Sequence, residues 1–190
     1  MSLLPFCEWL AGTHGSIALH ESLYVYPIVE SVHVWTLVVF VGLGVILDLR
    51  LLGLALRSVP VTELVERLGP WVVAGFVVMV ASGSMLFYAV PVRTYQSVWF
   101  RSKMVFLVLA GLNAWIFHSG VYRNVAGWDL ATTIPRKARL AGVISLVLWA
   151  GVILSGRFIA YSWFDCDHQP QSALVNAFAG CVVETDPPAR

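Results

Sequence analysis

His33 interrupts an otherwise apolar stretch running from about Leu23 to Gly53, with Glu30 one turn before it and Asp48 and Arg50 towards its end. Ionisable side chains are costly in lipid, and those found there mark a functional site by default. Imidazole is both a common metal ligand and the usual ligand of haem iron. One reading therefore makes His33 an axial ligand of a haem b. A second leaves it as a structural hydrogen-bonding residue paired with Glu30, and proton relay or metal transport are further alternatives.

Positioning His33 falls to elements whose class is fixed by composition. Of 190 residues, 58% are hydrophobic and 12% charged, and mean hydropathy is +0.78. Soluble domains are about half apolar and about a quarter charged. The chain is therefore expected to be an all-α integral membrane protein embedded in a lipid bilayer. A net charge of +1 without a basic tract argues against a nucleic-acid partner. No nucleophile triad, phosphate loop or zinc motif occurs along the chain, so independent enzymatic activity has no sequence support beyond a role as an oxidoreductase subunit.

Three regions follow. Residues 1–22 form an outer segment in which Pro5, Phe6 and Trp9 suggest a short helix lying in the membrane interface. It lacks the basic start of a signal peptide and is kept in the mature chain. Residues 23–161 form a four-helix transmembrane bundle, with spans from about Leu23, then Trp71–Val90 opened by Pro70, Lys103–Val121 and Leu140–Tyr161. The first exceeds the roughly 20 residues needed to cross. Residues 162–190 form an extramembrane tail. In it Cys166 and Cys181 most simply make a disulfide, leaving Cys7 unpaired, while other pairings and a Cys166/His168 metal site stay open. The apolar run Ala173–Val183 is too short to span and suits packing on the bundle mouth.

Loop charge gives the orientation. Arg50, Arg57, Arg67, Arg123, Arg136, Lys137 and Arg139 fall at one end; Arg93, Arg101, Lys103 and Arg157 fall at the other. The positive-inside rule makes the first end cytoplasmic, so both termini are expected in the periplasm of a bacterial inner membrane. Trp71, Tyr88, Trp99, Trp128, Tyr161 and Trp163 then serve mainly as interfacial anchors.

Depth now limits the ligand set. His33 lies in the outer part of the first span and His118 at the inner end of the third, roughly 20 Å apart at 1.5 Å per residue. They cannot share one haem, and His118 is read as structural. Met85, Lys103 and His20 are the candidates for the position opposite His33; a lysine would first have to lose its proton. The third helix places Lys103, Ala110, Ala114 and His118 in one stripe whose small residues admit a close neighbour. Asp48 and Arg50 are expected to lock the cytoplasmic end, with Arg139 of the fourth helix as a partner, and Arg157 is assigned a structural polar role. His14 and His20 are otherwise expected in solvent, where together with Cys166 and His168 they leave copper handling as a third possibility.

The strings Glu30-Ser-Val-His33, Asp48-Leu-Arg-Leu-Leu-Gly53, Asn113-Ala-Trp-Ile-Phe-His118 and Ser155-Gly-Arg-Phe-Ile-Ala-Tyr161 resemble those of a family of small uncharacterised bacterial four-helix inner-membrane proteins. The layout of an early histidine, a lysine opening the third span and a histidine closing it is similar to that of HemJ-type protoporphyrinogen oxidases and of copper-resistance D membrane proteins. That likeness implies a haem b on His33 and a role for Lys103. The chain departs from the oxidase pattern in its long outer termini and cysteine pair, which suggest an outer surface shaped to meet another protein. Two functions are therefore expected in competition. One is a b-type cytochrome-like electron-transfer subunit, with quinone and a periplasmic protein as redox partners; the other is a non-catalytic anchor or accessory subunit of a larger membrane complex.

Overall fold

A computed structural model of the chain describes residues 2–129, 134–161, 164–167 and 169–181. Trp163, His168 and the tail positions from Val182 onwards, including the acids Glu184 and Asp186, lie outside the described residues. All regular structure among the described residues is helical. Four helices are long and apolar enough to cross a membrane: α3 (Val25–Leu52), α4 (Val61–Ala89), α6 (Val98–Ile116) with its continuation to Gly127, and α7 (Arg136–Ile159). Short helices α1 (Leu4–Ala11), α2 (His14–His20), α5 (Pro91–Tyr95) and α8 (Ala173–Ala179) gather at one end of this bundle. The chain is thus an all-α membrane bundle of four long helices.

Local chemistry sets most of the helix ends. The Ser22 hydroxyl accepts from Val25 N–H at 2.9 Å at the start of α3, as a helix-capping serine does. At its far end Gly53 adopts φ +72° and Leu54 N–H reaches back to Leu49 O at 3.0 Å. This left-handed C-terminal turn favours glycine because a Cβ would be strained there. Pro91 stops α4 by forcing Val90 out of helical geometry (φ −138°, ψ 60°).

Three boundaries differ from the sequence expectation. The second helix begins at Val61, so Pro70 lies inside α4 instead of opening it. A ring there costs the helix one backbone hydrogen bond, yet the turns before it are retained because their first N–H groups are capped from elsewhere. Asp129, in the loop after α6, accepts from Val61 N–H at 2.5 Å, Thr62 N–H at 3.2 Å and the Thr62 hydroxyl. The third helix begins at Val98, and the fourth at Arg136 directly after Pro135. Gly15 sits within α2 against Tyr88.

In the bundle α3 packs between α4 and α7, and α7 packs between α3 and α6. Phe40 joins three helices, lying 6.3 Å from Phe76 of α4 and edge-on to Trp149 of α7 at 5.1 Å. Glycines admit the bulk: a Cβ at Gly75 would meet Phe40 at 3.2 Å, and one at Gly151 would meet the Phe106 ring at 3.0 Å. The outward faces stay apolar, with Trp35 73% exposed and Val39, Val77, Val108, Trp115 and Val147 also exposed. Such a surface is stable against lipid tails and not against water.

The short helices cover the end at which α3 starts. Thr13 and Ser16 bond the hydroxyl and carbonyl of Tyr88 at 2.8 and 2.7 Å, tying α2 to α4. Arg101 donates to Ala179 O at 2.8 Å, tying α8 to α6. Cys166 and Cys181 form a disulfide, and Cys7 is a buried free thiol.

Candidate functional site

The four long helices each bring a small or ionisable residue to within about 12 Å of that same end, at 1.5 Å per residue. His33 lies two turns into α3, Ser82 and Gly83 two turns before the end of α4, Lys103 just inside α6 and Gly156 in the last turn of α7. His33 is half-buried, and its Nδ1 is 2.9 Å from the Ser82 hydroxyl oxygen. The Ser82 hydroxyl is 2.6 Å from Val78 O, one turn back on its own helix. A hydroxyl has one proton to give. With that proton on the Val78 carbonyl, Ser82 can only accept from His33, so Nδ1 carries the ring proton. Nε2 is then left with its lone pair. Fixing one imidazole nitrogen in this way is how proteins orient histidine as a ligand through the other.

Space around the ring is set by glycine. A Cβ on Gly83 would stand 3.2 Å from His33 Cε1, so the ring lies against the α4 backbone. Lys103 lies within electrostatic range of the imidazole. Its Nζ would be 3.5 Å from a Cβ on Gly156, and its stem runs over that glycine. Lys103 makes no ion pair among the described residues. Phe87 and Phe100 stack at 5.5 Å between α4 and α6.

Of the residues nominated from sequence, Lys103 lies at the same end of the bundle as His33 and within electrostatic range of it. Met85 is 41% exposed on α4, and His20 is exposed at the end of α2; among the described residues the hydrogen-bond partner of His33 is Ser82. Glu30 is exposed and makes no ion pair or hydrogen bond with His33 among the described residues; Ser82 is the polar partner instead. The rotation of α3 that turns His33 towards α4 carries Glu30 outwards.

His118 lies in the π-helical turn Phe117–Val121 at the opposite end, exposed, with Nδ1 3.2 Å from Ala114 O. The stripe expected with it is split: Ala110 is buried, whereas Ala114 and His118 are exposed. The polar lock at this end is also rebuilt. Arg50, 3% exposed, donates to Val59 O at 2.7 Å and to Asp129 O at 3.3 Å. Arg139 is exposed and pairs with neither Asp48 nor Arg50; Ser145 is the polar side chain of α7 within electrostatic reach of Asp48. Arg157 is exposed and donates to the Tyr161 hydroxyl at 3.0 Å.

The disulfide removes Cys166 as a thiolate ligand, and with it the Cys166/His168 metal alternative. No group of three or more His, Cys, Asp or Glu among the described residues could hold a bare metal ion. Haem iron makes a smaller demand, because the porphyrin supplies four ligands and the protein only the axial ones. Ser82, Gly83 and Gly156 were not singled out from sequence. Their signal was the small-residue runs Ser82-Gly83-Ser84 and Ser155-Gly156 in apolar helices.

Residues 6–162 match a family described as a family of unknown function (DUF6644). The chain belongs to this DUF6644 family. No curated protein and no solved structure matches it. The match takes in most of α1, all of α2 and α5 and the four spans, and ends before α8.

Proposed function

We propose that this DUF6644 protein is a b-type cytochrome-like electron-transfer subunit of a bacterial inner membrane, binding haem through His33. The observation that carries the reading is the Ser82 contact, which orients the imidazole and leaves Nε2 as the available donor. The donor chemistry fits the group: the neutral His33 imidazole would hold the iron, and Lys103, as the free amine, would be a second donor. Gly83 and Gly156 let the imidazole and the Lys103 stem lie directly against the backbones of α4 and α7. The haem would supply one-electron chemistry; the chain's own residues hold the imidazole, exclude water with the Phe87–Phe100 stack and shield the site with aromatic packing at Phe40 and Phe106.

The cation-rich end, with Arg50, Arg57, Arg67, Arg123, Arg136, Lys137 and Arg139, is the cytoplasmic one in this reading, placing the His33 site and the disulfide on the periplasmic side. Quinone in the bilayer and a periplasmic protein on the outer cap are its redox partners. The layout likeness to HemJ-type and copper-resistance D proteins supports the haem and Lys103 roles.

The test is a visible spectrum of protein expressed with haem supplied. Reduced protein should show Soret and alpha bands that His33→Ala abolishes, Lys103→Ala shifts, and Met85→Ala or His20→Ala leaves in place. Absence of bands from folded native protein would sink the reading, leaving His33 as a cross-helix structural residue and the chain as a non-catalytic anchor or accessory subunit. For the orientation, an impermeant maleimide should label Ser172→Cys in spheroplasts and Arg57→Cys only after permeabilisation. The reverse pattern would invert the topology.

A further inference from the structure

A second polar site lies on α3 fifteen residues beyond His33, about 22 Å away along the helix. Asp48 is 6% exposed, and its Oδ2 is fully buried without a hydrogen-bond partner. Ser145 of α7 is the polar side chain that faces the carboxyl from the neighbouring helix, close enough to act on it electrostatically. The two helices are close here: a Cβ on Gly142, one turn before Ser145, would stand 3.2 Å from the Asp48 carbonyl oxygen. Among the described residues no cation forms an ion pair with the carboxyl. Arg50 on the same helix is committed to the Val59 and Asp129 carbonyls, and Asp129 to the start of α4. Arg136, Lys137 and Arg139 of α7 are exposed, and Arg67 of α4 pairs with Glu63.

We propose that Asp48 and Ser145 form an intramembrane proton-binding site at the contact between α3 and α7. An ionised Asp48 would leave a charged oxygen buried with no donor, the costlier state. With the proton bound, the acid donates to Ser145, and Oδ2 becomes a neutral carbonyl oxygen, whose missing partner costs least. Asp48 thus offers, at the α3–α7 contact, a buried carboxyl oxygen at which a proton can be held inside the bundle. The site is independent of haem at His33, and either can fail without the other.

The native protein in lipid vesicles should show the infrared carbonyl stretch of a protonated carboxylic acid at neutral pH. Asp48→Asn should remove that band and Ser145→Ala should shift it. Dicyclohexylcarbodiimide, an apolar reagent for protonated carboxyls, should modify Asp48 at neutral pH, read by mass spectrometry of the peptide. The adduct should fall roughly tenfold per pH unit once the acid ionises. An infrared spectrum unchanged by Asp48→Asn would overturn the proposal. So would an unmodified Asp48 at neutral and mildly acidic pH, a measurement on native protein that stands even if the variant does not fold.

Discussion

At the scale of single residues, the fate of His33 depends on one hydroxyl. Ser82 donates a hydrogen bond to the Val78 carbonyl and accepts from Nδ1, so in the proposed haem reading the nitrogen left for iron is selected by a residue that would not itself touch the haem. Ser82→Ala should therefore weaken haem binding by about 10- to 100-fold, the usual cost of removing such a supporting bond, while keeping the absorption bands at saturating haem. Haem titration monitored at the Soret band measures it; unchanged affinity would remove Ser82 from the site. Cys7 gives a second residue-level prediction. It is 1% exposed in α1, and burial, reinforced by the Glu8 charge, pushes its thiol above the ordinary value. The thiolate is the nucleophile, so alkylation should be slow at neutral pH, rise with pH, and become fast at neutral pH once α1 is unfolded. Because the folded state favours the protonated thiol, the docking of α1 should weaken as pH climbs from the ordinary thiol pKa to the raised one.

At the scale of elements, α4 shows how a helix can be extended by a distant residue. Asp129 supplies the cap that the start of α4 lacks in its own sequence, where Pro60 offers no side-chain acceptor. A helix cap contributes about 1 kcal/mol, and the Thr62 hydroxyl adds a third bond to the same carboxylate. Asp129→Ala should lower stability by about 1–2 kcal/mol and fray α4 between Val61 and Pro70, with the bundle beyond Pro70 intact. Hydrogen exchange of the Val61–Leu68 amides measures the fraying, and protection equal to native would contradict it. Arg50 joins the same junction through the Asp129 carbonyl, which is why a guanidinium can be buried here without a carboxylate partner.

At the scale of the molecule, the end bearing the His33 site is covered and the other is open and cationic. The cover consists of α1, α2, α5 and α8, and its C-terminal part is tied by a disulfide closing a loop with sequence separation 15. Loops of that size are stabilised by about 3 kcal/mol on cross-linking. The bond joins neighbouring segments, so reduction should release α8 from Arg101 and leave the four spans folded. Limited proteolysis should then cut near Ala173–Ala179, while helical circular dichroism falls by little more than that one short helix. Collapse of the whole spectrum on reduction would show that the cover holds the bundle together.

Much of this architecture was legible in the chain. Four long apolar stretches, a glycine stop at Gly53, a proline stop at Pro91, and the placing of His33 and His118 at opposite ends follow from composition and residue count, which are local properties. The partners were not legible. Ser82 in place of Glu30, Ser145 facing Asp48 and Asp129 capping α4 all depend on how each helix is turned about its own axis. In a soluble helix the apolar stripe reveals that rotation. Within a bilayer the lipid-facing and bundle-facing sides are both apolar, so the sequence of α3 carries almost no mark of which side faces inwards, and only the packed structure decides what His33 meets.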